Sequence, residues 1–128
     1  MPNSRRKHKY GVAPKEDRTL DGIVYHSKAE MIRAGELKLL MKAGWFALRQ
    51  VPLQLTDDDR YVVDFFVQEP DGCRHFEDVK GVETPAFRRV RRLWLKYGPG
   101  RLTILKRKGD KWETEHIQGP SPSQRRCF

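Results

Sequence analysis

The chain has 128 residues, of which 38% are hydrophobic and 34% are charged, and its formal net charge is +9. This length suits one domain with one modest core, and the apolar content is too high for a chain that is disordered throughout. No apolar run approaches the ~20 residues of a membrane-spanning helix, and the basic N-terminus lacks the apolar stretch of a secretory signal. Cys73 and Cys127 make no disulfide framework, so we expect a reduced, cytoplasmic protein.

The charge is distributed unevenly along the sequence. Residues 57–83 contain nine acidic and three basic residues, a net charge of −6, so the rest of the chain carries +15. An acidic centre in a basic surround suits a polyanionic partner that is bound through metal ions. A basic protein with a merely solvated surface fits the same charge distribution.

The first third of the chain predicts a basic arm, a hairpin and a capped helix. Residues 1–18 are polar and basic without periodicity, which indicates a flexible arm. Asp21-Gly22 lies between apolar residues and predicts a two-residue hairpin turn. The sequence from Ser27 to Glu30 is typical of a capping box, which predicts a helix that starts there and stops at Gly44.

The remaining sequence predicts five strands and a second helix. We expect strands at 45–55, 60–68, 74–80, 101–107 and 111–116, and a helix at 85–97. Pro52 indicates that the first of these strands is either broken or at a sheet edge. With residues 119–128 as a flexible tail, residues 19–118 form the single domain. This order of elements predicts an α/β fold, a small mixed β-sheet flanked by helices.

The turn between the two central strands sets their register. Pro70-Asp71-Gly72 suits a three-residue loop that contains a type I turn and a left-handed glycine. On that register Asp64 lies opposite Asp78, with ~5 Å between their β-carbons, and Lys80 points to the same side. Opposed, partly buried carboxylates are destabilising. A divalent cation such as Mg²⁺ or Mn²⁺ would offset that cost in an oxygen-lined pocket.

Two other arrangements of this hairpin are compatible with the sequence. A two-residue loop would shift the register by one and place Asp64 and Asp78 on opposite faces. Alternatively, Asp64 starts a bulge or bonds a loop, and Asp78 forms an ordinary ion pair with Lys80.

Two acids, a metal ion and a nearby lysine suit the hydrolysis of a phosphodiester. A metal ion polarises the phosphate and lowers the pKa of a bound water. Lys80 would orient the attacking water or stabilise charge in the transition state, and a role as the base is also open.

The stretches "VVDFF" and "EDVKG" resemble the PD-(D/E)XK nuclease superfamily, which has an acid on one strand and acid-x-Lys on the next. "SKAEMIRAGELKLL" is similar to the first helix of that family, and the whole order resembles short phage-encoded members, the endonuclease I type of Holliday-junction resolvase. Val63 stands where the superfamily often has proline. The resemblance implies a restriction-endonuclease-like core in which Glu30, Asp64, Asp78 and Lys80 are catalytic. It also implies a metal held by Asp64, Asp78, Glu30 and the Val79 carbonyl.

The second predicted helix carries five basic residues and no acid between Ala86 and Gly98. A solvated helix usually mixes charges of both signs, so this pattern favours contact with phosphates. No base-reading element is recognisable, and we expect selectivity for DNA structure rather than sequence. The expected buried face is Phe87, Val90, Trp94 and Tyr97. The predicted DNA-binding residues are Arg5, Arg6, Lys7, Lys9, Arg88, Arg89, Arg91, Arg92 and Lys96.

The leading hypothesis is a Mg²⁺- or Mn²⁺-dependent, structure-selective DNA endonuclease that cuts branched DNA such as Holliday junctions during recombination. It would be a phage or bacterial protein that acts in the cytoplasm, with no membrane partner and no small-molecule substrate. The resemblance implies a homodimer, because symmetric cutting needs two active sites. The alternatives are a transposase-like, restriction-like or repair nuclease acting on duplex or nicked DNA, a non-catalytic nucleic-acid-binding protein, and an RNA- or ribosome-associated basic protein.

Overall fold

Residues 12–120 are described by the computed structural model, and they form a five-stranded mixed sheet with two helices packed on it. The elements are a 3-10 helix (Lys15–Arg18), strands β1 (Thr19–Leu20) and β2 (Ile23–Val24), helix α1 (Lys28–Met41), strands β3 (Phe46–Gln54), β4 (Arg60–Gln68) and β5 (Arg74–Val79), helix α2 (Pro85–Tyr97), and strands β6 (Arg101–Lys108) and β7 (Lys111–Gln118).

The sheet order is β3-β4-β5-β6-β7, in which β5 and β6 are parallel and the other neighbours are antiparallel. Parallel neighbours need a crossover connection, and α2 provides it. The predicted α/β class, with a small mixed sheet and flanking helices, is confirmed, and β3 lies at the sheet edge as its proline indicated.

Local sequence signals explain most element boundaries. Asp21 and Gly22 adopt φ values of 52° and 79°, as the tight hairpin between β1 and β2 requires. The Ser27 Oγ accepts a hydrogen bond from the Glu30 backbone N–H at 3.0 Å and caps α1. Helix α1 ends at Met41, three residues before the left-handed Gly44.

The register of β4 and β5 is the one that the turn predicts. Phe66 pairs with Phe76 and Phe65 pairs with Glu77, and Gly72 has the left-handed φ of 91° that the three-residue loop needs. The paired ladder stops at Phe65–Glu77, so the two strands separate just where Asp64 would pair next.

Strands β3 and β4 both change faces halfway along their length. In β4, Val63 packs in the core beside α2, whereas Phe65 packs in the core beside α1. In β3, Ala47 and Val51 are divided between the two cores in the same way. Strict alternation would keep residues two apart on one face. The change coincides with Gln50, whose φ of 54° breaks the extended backbone.

Two sequence-based expectations about single residues are corrected by the fold. Tyr97 is 52% exposed, not buried, because it is the last residue of α2 and Leu93 fills the core instead. Cys73 is buried and disulfide-bonded, so the cysteines do not argue for a reducing compartment. The other cysteine, Cys127, lies outside the described residues.

The described part of the chain begins inside the predicted arm. Residues 12–18, which we assigned to the arm, include the 3-10 helix, and Arg18 donates hydrogen bonds to the carbonyls of Ala13 and Tyr25. Residues 1–11, with the predicted DNA contacts Arg5, Arg6, Lys7 and Lys9, lie outside the described residues, as do residues 121–128 of the predicted tail. Within the described range, neither helix is long and apolar enough to cross a membrane.

Candidate metal centre

A cleft of about 570 Å³ opens where the first turn of α1 meets the carboxyl ends of β5 and β6. Carboxyl ends of parallel strands are a common place for ligand sites in α/β sheets. Four residues from the predicted site line it, namely Glu30, Asp64, Val79 and Lys80. Its lining also contains the basic residues Lys28, Lys106, Arg107 and Lys108. The cleft therefore combines carboxylates with a strongly basic rim.

Glu30 lies in the first turn of α1 and is 1% exposed. In a capping box its carboxylate would accept from the backbone of the cap residue. Instead, Oε1 accepts from the His26 backbone N–H at 2.8 Å and Oε2 accepts from Gln50 Nε2 at 3.2 Å. The Glu30 carboxylate therefore does not cap the helix, which Ser27 Oγ caps by itself. The Glu30 side chain lies beside Asp64.

Burial and, after it, the interaction with the neighbouring Asp64 carboxylate raise the pKa of Glu30 to about 7, while the His26 N–H and the charge of Arg49 act in the opposite direction. A carboxyl whose pKa lies this high is protonated for much of the time near neutral pH. A divalent cation would replace that proton, because it stabilises both carboxylates together.

Asp64 joins β4 to β5 at the point where their ladder ends. Its Oδ2 accepts from the Val79 N–H at 2.9 Å, and its own N–H donates to Asp78 Oδ1 at 2.9 Å. These two bonds stand in for the missing ladder bonds. The side chain is only partly buried, and it reaches the cleft beside Glu30 because β4 has changed faces.

His26 completes a group of three potential ligands that the sequence analysis missed. Within residues 12–120, His26, Glu30 and Asp64 each offer a ligand atom, and these atoms lie within 4.8 Å of one another. His26 Nδ1 is 3.6 Å from Glu30 Oε1. The sequence signal that could have identified His26 is its position directly before the helix cap and four residues before Glu30.

Asp78 is adjacent to this group but does not belong to it. It is 1% exposed, and its oxygens accept from the Asp64 N–H and from the Tyr61 hydroxyl. Burial and, after it, the negative charge of Asp64 raise the pKa of Asp78 to about 6, and the charge of Lys80 opposes this shift. Metal ligation by Asp78 and by the Val79 carbonyl stays a prediction from the resemblance.

Lys80 directly follows β5, and its ammonium group lies against two aromatic rings. Its Nζ lies 4.5 Å from the ring centroid of Phe87 and 5.8 Å from that of Tyr61. These contacts hold the ammonium group at the cleft, and among residues 12–120 no carboxylate is directly bonded to it. Lys80 is therefore placed to interact with an anionic ligand.

Glu77 faces away from the cleft, as the strand alternation predicts. Arg33 donates two hydrogen bonds to its carboxylate, at 2.7 and 2.8 Å, and His75 Nε2 lies 2.7 Å from Oε2. Burial works to raise the pKa of Glu77, but the bonds from Arg33 and His75 lower it overall. This acid of the "EDVK" stretch is thus a structural partner of α1.

The five basic residues of α2 are used in different ways. Arg89 pairs with Asp59, and Arg91 forms ion pairs with Glu83 and Glu115. Arg88, Arg92 and Lys96 are exposed, and Arg89 keeps 58% of its side chain exposed beside Asp59. In the described part of the chain none of the α2 residues lines the cleft, whose basic wall comes from α1 and the end of β6.

The metal-free protein is expected to lose stability as pH rises from 5 to 8. Glu30 has a folded pKa above the ordinary 4.5, so its protonated form favours folding and that contribution disappears as pH rises through about 7. One carboxyl shifted this far contributes about 3 kcal/mol. Urea unfolding in EDTA should show the loss, and Glu30→Gln should remove it. The histidines contribute equally to both proteins, so the comparison isolates Glu30. If the free energy of unfolding changed with pH equally in the wild type and in Glu30→Gln, the expectation would be contradicted.

The cleft therefore contains two adjacent carboxylates, an exposed imidazole and a lysine at one end of a mixed sheet. Asp64, Glu30, Val79 and Lys80 come together as the sequence predicted, while His26 and the basic end of β6 were not predicted. No protein-family model, curated protein or solved structure significantly matches this chain. Function therefore has to be inferred from the chemistry of the cleft.

Proposed function

We propose that this chain is a Mg²⁺- or Mn²⁺-dependent endodeoxyribonuclease that hydrolyses phosphodiester bonds in branched DNA such as Holliday junctions. The observation that carries the proposal is the cleft in which the buried Glu30 and the partly buried Asp64 lie side by side beneath a rim of basic residues. Adjacent carboxylates favour a divalent cation, and a basic rim favours the polyanionic backbone of a nucleic acid.

The residues of the cleft have separate roles in this reaction. Glu30 and Asp64 would hold the cation, which supplies Lewis acidity and an activated water when it is bound. Lys80 would donate to a phosphate oxygen or orient the attacking water. Tyr61 donates to Asp78, so it would position that carboxylate at the edge of the centre.

The fold supports the finer assignment to a PD-(D/E)XK nuclease core, which is part of this proposal. The first acid lies in β4, the acid-x-Lys stretch lies at the end of the neighbouring β5, and the helix acid lies in the first turn of α1. This order and these neighbours are what the resemblance implies for Asp64, Asp78, Lys80 and Glu30.

The proposed DNA contacts form two groups of basic residues. The first lies on the rim of the cleft, and the second consists of three exposed residues of α2. The groups are Lys28, Lys106, Arg107 and Lys108 on the rim, and Arg88, Arg92 and Lys96 on α2. Such contacts position a backbone without reading bases, which fits selectivity for DNA structure. Symmetric cutting of a junction requires two active sites, so the proposal includes a homodimer.

A non-catalytic nucleic-acid-binding protein is the second candidate. The observation that favours it is the bonding of Asp78, whose two oxygens are both occupied by donors from β4. An acidic pocket closed by its own backbone and Tyr61 would still leave a basic surface for DNA.

The proposal is tested with a labelled four-way junction, a nicked duplex, a linear duplex and a single strand of matched sequence. Each is incubated with the protein in EDTA, Mg²⁺ or Mn²⁺. We expect cleavage only with metal, and cleavage of the junction several-fold faster than that of the linear duplex. Equal rates on all duplexes would remove the preference for branched DNA and leave the nuclease. Binding to every substrate without any cutting would favour the second candidate.

A further inference from the structure

His26 is held at the mouth of the cleft by its own backbone. It directly precedes Ser27, the cap residue of α1, and its N–H donates to Glu30 Oε1 at 2.8 Å. Its side chain is 75% exposed, and within the described residues the polar partner of the ring is Glu30, 3.6 Å from Nδ1. The imidazole is thus anchored at its base and accessible at its tip.

The spacing of the three side chains fits one small cation. With metal–ligand distances of about 2.1 Å, adjacent ligands lie about 3 Å apart and opposite ligands about 4.2 Å apart. The separation of His26 Nδ1 from Glu30 Oε1 falls between these values, and all three ligand atoms lie within 4.8 Å. Small rotations of side chains are enough to close the group around an ion.

A second observation points to the same place. Gln50 has a left-handed φ of 54°, which is uncommon for a residue with a side chain, and its amide donates to Glu30 Oε2 at 3.2 Å. Each oxygen of Glu30 accepts one hydrogen bond and keeps a further lone pair. A hydrogen bond of this kind, from a neighbouring amide to a carboxylate, is what orients carboxylates that ligate metal ions.

We propose that His26 is the third protein ligand of the cation, with Glu30 and Asp64, and that it makes the site select Mn²⁺ over Mg²⁺. Mg²⁺ prefers oxygen ligands and retains its waters, whereas affinity for a site with an imidazole nitrogen is higher for Mn²⁺ and later metals. This inference rests on the metal dependence of the proposed function and does not depend on DNA cleavage.

The test measures metal binding in the absence of DNA. The paramagnetic resonance signal of free Mn²⁺ gives the Mn²⁺ Kd of metal-stripped protein, and competition by Mg²⁺ gives the Mg²⁺ Kd. We expect His26→Ala to weaken Mn²⁺ binding about tenfold or more and Mg²⁺ binding less than about threefold. The matched control is His116→Ala, an exposed histidine on β7, and it should leave both values unchanged.

A second variant keeps the test independent of any side effect of alanine. His26→Asp offers an oxygen in place of the nitrogen, so it should bind Mg²⁺ at least as tightly as the wild type and reduce the preference for Mn²⁺. Equal weakening of both metals in His26→Ala, or an unchanged Mn²⁺ Kd, would overturn the assignment, as would failure of the wild type to bind Mn²⁺. Selective Mn²⁺ binding in a protein that cuts no DNA would uphold the site and refute the nuclease.

Discussion

Replacement of Asp64 by asparagine is expected to reduce metal-dependent DNA cleavage on the order of a thousandfold. Asp64 is a ligand in the proposed centre, and its ligand atom lies within 4.8 Å of that of Glu30. Asparagine keeps an acceptor for the Val79 N–H, which Oδ2 now binds at 2.9 Å, so the strand junction should persist. The charge that holds the cation is lost, while the basic rim is untouched.

Two measurements separate this result from a general loss of the protein. Binding of the uncut junction in EDTA should be unchanged in Asp64→Asn, and so should its salt dependence. Asp58→Asn is the matched control, because Asp58 is an exposed carboxylate in the loop before β4 and lies outside the cleft. Cleavage by Asp64→Asn at a rate close to that of Asp58→Asn would exclude the proposed site.

The sequence predicted the secondary structure of this site better than the directions of its side chains. The turn residues determined the register of β4 and β5, and the cap residue placed Glu30 in the first turn of α1. The change of faces in β3 and β4 could not be predicted, because Gln50 gives no residue-type signal for a positive φ. That change is what brings Asp64 to the side of Glu30.

The basic surfaces were also predictable from the sequence only in part. The positive face of α2 is visible in the sequence, but its ion pairs with Asp59 and Glu115 depend on neighbours that only the folded chain supplies. The basic wall at 106–108 was missed because it becomes part of the site only through parallel pairing of β5 with β6. The sequence of a crossover connection does not show which two strands it will place side by side in the sheet.

The buried ion pair between Arg33 and Glu77 connects the two halves of the site. Arg33 lies one turn after Glu30 in α1, and Glu77 directly precedes Asp78 in β5. The two hydrogen bonds between their side chains, at 2.7 and 2.8 Å, therefore hold the helix that carries one acid against the strand that carries another. Glu77 is 1% exposed, so its charge depends on these partners.

Arg33→Ala is expected to lower the free energy of unfolding by about 3–5 kcal/mol, because it leaves the Glu77 carboxylate buried without its cation. The double variant Arg33→Met/Glu77→Gln removes both charges and should recover most of that loss. Urea unfolding at pH 7 measures both, and Arg88→Ala, an exposed arginine of α2, should change stability by no more than about 0.5 kcal/mol. If the double variant were as unstable as Arg33→Ala, loss of packing and not the unpaired charge would be the cause.

Recovery of stability without recovery of metal binding would show that this pair also sets the distance between α1 and β5 at the cation site.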